Sequence, residues 1–459
     1  MLSLGAGPVR VIAAAAGMAL AAIGTAVAAA DRPASRAAQP GFSKPEATCF
    51  WEGPISTKRP TTRGYDGRNF NFAEESATYW MARFSLPEGS ELELRGRYPY
   101  GRYMSFNTYT EGAPIDTLSD PSVDPDPGST NPFQPGARRE VKKRSFTITV
   151  SAAAPPGEGA REPNTIYGNQ SAGVIELFYR VYEPDPGRDL TGGAGLPEPT
   201  LVDSSGASVT GEQVCAAVND PNREIPGQPI AEALWETARQ SPGCDGETNP
   251  AYDPPRWERF FNVDYASLAV VTDCTEAGRQ GRLAMEPDLE GGFYSNRDSA
   301  YVFAHLSRKF GPLFVVQAKL PRFPRTFREP KRMPEGDLRF WSLCTAESRV
   351  TLRTPDCLSD RQVLKQSGRN YTVVVSKRAD RPENARRRCG IAWLDWGERG
   401  DGVGDPDYAA LIMRNMLVSP DFENAIQRVP RPTEEEAVMG PHFPRSEYST
   451  IEDFEARGC

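Results

Sequence analysis

One stretch of this sequence occurs twice. Residues 79–99 lie without a gap over residues 301–321, so that Tyr79, Ala82, Ser85, Gly89 and Pro99 recur as Tyr301, Ala304, Ser307, Gly311 and Pro321. The echo continues downstream. Met104-Ser105-Phe106 matches Trp341-Ser342-Leu343, Leu118-Ser119-Asp120 matches Leu358-Ser359-Asp360, residues 144–150 match 369–375, and Leu177 to Arg180 match Leu411 to Arg414. A period this long excludes a solenoid and indicates a duplicated domain of about a hundred residues.

Within each copy the pattern is that of strands. Tyr79, Met81 and Arg83 alternate with Trp80, Ala82 and Phe84; Leu92, Leu94 and Gly96 alternate with Glu93, Arg95 and Arg97; Phe146, Ile148 and Val150 alternate with Thr147 and Thr149. A period of two predicts half-buried antiparallel strands. The 41 glycines and 42 prolines predict many turns and few long helices. The fold class expected is mainly β: two duplicated antiparallel β-sandwich, jelly-roll-like domains with a small helical insertion.

The expected division has a signal peptide at 1–30, an N-terminal linker at 31–71 with Cys49 and Trp51 as tie-downs, and copy one at 72–184. A helical insertion and connector follows at 185–290, then copy two at 293–419 and a tail at 420–459. In the insertion, Thr210-Gly211-Glu212-Gln213 has capping-box spacing and predicts a short helix through Cys215. Pro229 ahead of Ile230–Gln240 predicts an amphipathic helix with Ala231, Leu234 and Trp235 on one side. The apolar run Leu268–Val271 reads as a strand.

Arg10 is the only charged residue in the first 30, and Val11–Ala30 carries none. Small-x-small patterns at Ala26-Val27-Ala28 and Ala28-Ala29-Ala30 predict cleavage and export, with an uncleaved anchor as the alternative. The expected location is secreted or extracytoplasmic, with no membrane span after cleavage. Eight cysteines without a Cys-x-x-Cys then read as disulfides: Cys49, Cys215, Cys244, Cys274, Cys344, Cys357, Cys389 and Cys459. Cys344 with Cys357 is the best single pairing. Cys459, the last residue, reads as a staple for the terminus, the alternative being an intermolecular bond.

A net charge of −8 argues against nucleic acid, whose phosphates need a basic surface. With two histidines, His305 and His442, no histidine-rich zinc site is possible. No Gly-x-Ser-x-Gly, His-Glu-x-x-His or phosphate-loop pattern is present. Arg180 and Arg414 occupy matching places inside apolar strands, where a charge is costly unless paired. They predict either a structural ion pair, an alternation with Glu176, or an anion clamp between the copies. Tyr79, Arg83, Tyr301 and His305 are expected to line a neighbouring face. His305 alone reads first as a satisfied structural histidine.

Asp116, Asp120, Asp124 and Asp126, with Asn131, form an oxygen-rich loop that is a candidate calcium site. Apart from that, no cofactor is expected. Gly400-Asp-Gly-Val-Gly404 reads as a flexible turn. Nothing in the spacing selects a pair of carboxylates for glycoside chemistry.

Tyr98-Pro99, the run from Arg102 to Asn107 and the run from Pro125 to Phe133 resemble a family of exported bacterial proteins built from tandem domains of unknown function. So do Arg339 to Cys344 and Arg414 to Leu417. The resemblance implies a tandem β-sandwich layout and brings no activity. The leading expectation is a non-catalytic ligand-binding or cell-envelope protein using the cleft between the copies. Its partner is then a small molecule, a saccharide or an envelope protein. The alternative is an extracellular enzyme acting on saccharide or another polymer through acidic residues.

Overall fold

The computed structural model describes residues 48–55, 71–157, 159–221, 230–241, 243–244, 251–287, 292–363 and 369–459. The signal peptide, its cleavage patterns and Pro229 lie outside the described residues. The chain is mainly β. Four sheets stack face to face, two in each half.

The inner sheet of the first half runs β1 (Glu52–Ile55), β2 (Ala77–Phe84), β8 (Ile175–Tyr182), β4 (Tyr103–Thr110), β5 (Ala113–Ser119). Its outer sheet runs β10 (Ser208–Thr210), β9 (Glu198–Val202), β3 (Glu91–Arg97), β6 (Ser145–Ser151), β7 (Thr165–Tyr167). The second half has an inner sheet β11 (Glu258–Arg259), β12 (Ser299–Ser307), β18 (Tyr408–Val418), β14 (Leu338–Ala346), β15 (Cys357–Ser359). Its outer sheet is β17 (Ile391–Asp395), β16 (Asn370–Ser376), β13 (Leu313–Lys319), β19 (Arg445–Ser449).

Strand order corresponds between the halves. The triplet β2-β8-β4 answers β12-β18-β14, and β9-β3-β6-β7 answers β19-β13-β16-β17. In both outer sheets the last pair, β6 with β7 and β16 with β17, is parallel, so these sheets are mixed. The expected boundaries therefore fall short at both ends: β9 and β10 come from residues assigned to the insertion, and β19 from the tail. Nor are residues 52–55 linker, since β1 pairs with β2.

The outer sheet of the first half alternates as a period of two requires, with Leu92, Leu94, Phe146, Ile148 and Val150 buried and their neighbours partly exposed. That of the second half is buried on its far face too, where Leu313, Val315, Val374 and Ile391 pack with Phe454. Gly96 is needed in β3, because a Cβ at that position would come within 2.6 Å of the Phe146 ring. The central strands of the inner sheets do not alternate in this way. Trp80, Ala82 and Phe84 enter the first core, while Tyr79 and Met81 enter a third cluster with Tyr103, Tyr182, Phe340 and Met416. This third cluster is the contact between the two sandwiches, and it explains why β4, β8 and β14 are buried along their whole length.

Two arginines cross that contact reciprocally. Arg102 of the first half donates to Asp360 Oδ2 of the second at 2.8 Å, and Arg339 donates to Asp120 Oδ1 of the first at 2.8 Å. Each also donates to the other's main-chain carbonyl, at 3.4 and 3.3 Å. Burial pushes both carboxyls up to about 6, against the pull of the arginines and of main-chain amides.

Between the halves lie α1 (Glu212–Val218), α2 (Glu232–Arg239), α3 (Val263–Thr272) and α4 (Glu276–Leu283); α5 (Glu435–Met439) and α6 (Ile451–Glu455) follow β18. Gly211 caps α1 in place of Thr210, which ends β10, and the helix runs on to Val218. The predicted strand Leu268–Val271 is helix α3. The Asn262 side chain accepts the Tyr265 amide at 2.8 Å and starts it, and four apolar residues fit one buried turn of helix as well as a strand. In α2, Trp235 and Ala238 are the buried residues.

All eight cysteines are paired: Cys49–Cys215, Cys244–Cys274, Cys344–Cys357 and Cys389–Cys459. Such pairing suits an oxidising, extracytoplasmic setting. Cys344 and Cys357 face each other across β14 and β15, and Cys459 closes within the chain. Among the described residues no helix is long and apolar enough to cross a membrane.

Candidate functional site: a cavity between the inner sheets

Where the two inner sheets diverge they leave a cavity of about 220 Å³. Tyr79 and Arg180 reach it from one sheet, Tyr301, His305 and Arg414 from the other. Trp235 of α2, Val263 and Val270 of α3, and the connector residues Phe260 and Phe293 close it. Its wall is mostly aromatic and aliphatic. Five of the six predicted binding residues thus converge.

The convergence follows from register. Tyr79 lies opposite Arg180 on β2 and β8, and Tyr301 opposite Arg414 on β12 and β18. Each guanidinium stacks near its tyrosine, with Arg180 5.6 Å from the Tyr79 ring and Arg414 5.1 Å from that of Tyr301. Trp235 is fixed by a bond from its indole to Asp401 at 2.9 Å, and Arg239 binds the same oxygen at 3.1 Å. The glycine-rich run 400–404 is therefore an anchor for α2, with Asp401 Oδ1 also taking the amides of Val403 and Asp405 at 2.9 and 2.8 Å.

The sixth residue, Arg83, does not line the cavity. It lies at 2.9 Å from Glu176 and 3.6 Å from Asp220. Glu176 also accepts from Tyr294 Oη at 3.0 Å and Gly112 N at 2.9 Å, so it answers Arg83 and not Arg180.

The two matched arginines differ in their partners. Arg414 is paired with Glu74, whose Oε2 also accepts from Ser342 Oγ at 2.6 Å. Arg180 donates to Asn107 Oδ1 and, at 2.9 Å, to the Tyr294 carbonyl. Among the described residues no carboxylate lies within ion-pair distance of Arg180, which is 3% exposed. His305 shares a hydrogen bond of 2.8 Å between Nδ1 and Tyr408 Oη, and its Nε2 has no partner. Burial pulls this imidazole down to about 4, so it is neutral at ordinary pH. It is a lining group with one unsatisfied nitrogen, not a fully satisfied structural histidine.

The calcium reading fails on geometry. Asp116 binds Arg161 at 2.5 Å and the Tyr167 amide at 3.0 Å; Asp120 is committed to Arg339. Asn131 is a loop staple, donating to the carbonyls of Asp120 and Val123 at 2.7 and 2.9 Å. Asp124 and Asp126 do not join Asp116 and Asp120 in any close group of ligand atoms. The one such group among the described residues is Glu74, Cys344 and Cys357. Its two cysteines share a disulfide, so it offers no thiolate.

The sequence reading passed over Glu74, Asn107 and Tyr294. A signal existed for Glu74: extending the gapless repeat five residues back sets it over Asn296. His442, which its place between Pro441 and Phe443 in the tail suggested as a surface residue, is buried, with its Nδ1 2.6 Å from the Lys319 carbonyl.

No protein-family model matches the chain, and no curated protein does either. Among solved structures it is similar to an uncharacterised protein from Burkholderia cenocepacia, at 13% identity and TM-score 0.40, over 88% of this chain and 93% of that one. It is also similar to the VPA0106 protein from Vibrio parahaemolyticus, at 10% identity and TM-score 0.35, over 84% and 94%. Neither likeness bears on activity.

Proposed function

We propose that this is an exported, non-catalytic protein that binds a small molecule in the cavity between its two sandwiches. The observation that carries the reading is Arg180: a buried guanidinium that faces an apolar cavity without an ion-pair partner. The guanidinium has the Asn107 and Tyr294 oxygens and the rings of Tyr79, Tyr109 and Phe178 around it but no counter-ion, and a ligand carboxylate would supply one. Four disulfides support export, and the uncharged run 11–30 supports a leader. Of the described residues lining the cavity, Glu347 alone is a carboxylic acid, so paired-carboxylate chemistry has no support there.

Native mass spectrometry of protein recovered from the organism that makes it tests the reading. A persistent extra mass that disappears on filling the cavity with Ala266→Phe is expected. A bare chain from several growth conditions, together with no thermal shift from a broad panel of small molecules, would overturn it.

A further inference from the structure

The charge and size of the ligand can be read from the molecule's own asymmetry. Glu74 precedes β2 as Asn296 precedes β12. Each accepts the amide two residues on through its side chain, Ser76 at 3.1 Å and Asp298 at 3.0 Å. Each accepts the amide three residues on through its carbonyl, Ala77 at 3.2 Å and Ser299 at 2.8 Å. The two turns are therefore equivalent, but only one ends in a carboxylate. The free oxygen of Glu74 crosses the interface to Arg414. The Asn296 amide instead donates to Tyr103 Oη at 2.9 Å. On the side of Asn296 the acid is Asp298, which accepts from Tyr103 Oη at 2.6 Å and, though it feels the field of Arg180, makes no ion pair with it among the described residues.

Size follows from volume and wall. An apolar cavity of about 150 Å³ accepts benzene, and this one measures about 220 Å³. The surplus accommodates a short arm. Phe178, Phe260, Phe293 and Tyr301 offer ring edges and faces to an aromatic guest. His305, being neutral, adds no charge. Glu347 and Arg349 both line the cavity; Glu347 lies 3.9 Å from Arg353 and from Arg399, while the Nε of Arg349 has no partner among the described residues.

We infer that the ligand is a small aryl carboxylate whose carboxylate lies on Arg180 as that of Glu74 lies on Arg414. This rests on the cavity being a ligand site. Arg180 calls for one negative charge, because Arg414 is already neutralised within the chain. Guanidinium and carboxylate match as a planar, charge-assisted pair, and the ring displaces water from an apolar wall.

Titration calorimetry on the full chain at neutral pH tests this with phenylacetate and the neutral 2-phenylethanol. Phenylacetate is expected to bind about tenfold or more tighter than the alcohol, as one charge-assisted contact gives. Asn107→Asp places a carboxylate where Arg180 already donates. It is expected to keep or raise the melting temperature while abolishing the preference for phenylacetate. Arg180→Lys is expected to retain weakened binding. Equal affinity for 2-phenylethanol and phenylacetate would overturn the carboxylate while leaving the cavity a ligand site. Undiminished phenylacetate binding by Asn107→Asp would overturn the placement on Arg180. Absence of binding by both probes would overturn the inference as a whole; the reading of the cavity itself would fall only if the recovered protein also carried no extra mass.

Discussion

Arg102 and Arg339 donate to each other's main-chain carbonyl while each holds the other half's buried aspartate. Two sandwiches are thereby joined by a self-complementary contact, the arrangement typical of a twofold dimer interface, here within one chain. The consequence for stability is specific. Arg102→Met strands the Asp360 carboxylate in the interface, and removing one partner of a buried pair costs about 3–5 kcal/mol. The double change Arg102→Met with Asp360→Leu is expected to cost less than the single one. Denaturant unfolding of the three proteins measures the difference; a double variant weaker than the single would refute the pairing.

Glu435 makes a pH prediction. Its carboxyl is 2% exposed, accepts the Arg259 amide at 2.9 Å, and burial pushes it up to about 7. The unfolded chain loses that proton near the ordinary glutamate value of about 4.3. In the window between, the folded state holds a proton the unfolded state has shed, so this group's contribution falls as pH rises. His305 has the opposite sign, being held neutral down to about 4 while the unfolded imidazole is protonated below about 6.5. The wild-type profile therefore mixes both. Glu435→Gln isolates one: relative to wild type it is expected to gain on the order of 2–3 kcal/mol between pH 5 and pH 7.5. Melting curves that stay parallel across that range would exclude the assignment.

The Cys389–Cys459 bridge closes a loop of 70 residues. Inside it lie β19, which forms the edge of an outer sheet beside β13, and α6, whose Phe454 is 1% exposed. Cys459→Ser is expected to cost on the order of 4 kcal/mol by the loop-closure argument. The loss is expected to be local first: limited proteolysis should nick within residues 445–459 before any other site. Cleavage beginning elsewhere would show that packing of Phe454 suffices to hold the terminus.

The alternation of Tyr79, Met81 and Arg83 against Trp80, Ala82 and Phe84 was legible because strand geometry depends only on neighbours along the chain. That both faces of β2 are buried was not, since the second face is covered by residues more than two hundred positions away. The same distance hides the Arg102–Asp360 and Arg339–Asp120 exchanges, which pair each arginine with the copy it does not belong to. Leu268–Val271 misled because a short apolar run has too few residues to separate a period of two from one of 3.6. The Asn262 cap was the overlooked cue. In the candidate site, symmetry of the repeat pointed to Arg180 and Arg414, and both line the cavity. The broken symmetry of Glu74 and Asn296, from which their difference follows, lay just outside the matched stretch.

Along β4, β8 and β14 neither inner sheet has a face turned to water. Pulling the sandwiches apart would expose Tyr79, Tyr103, Tyr182, Phe340 and Met416 together with the four charges of the reciprocal pairs. Neither half can then persist long once the other has melted. Chains of this length ordinarily unfold domain by domain, yet this one is expected to show a single calorimetric transition with van't Hoff and calorimetric enthalpies in agreement. Cooperativity here belongs to the seam, and a substitution in the seam is expected to move the transition of the whole molecule rather than split it.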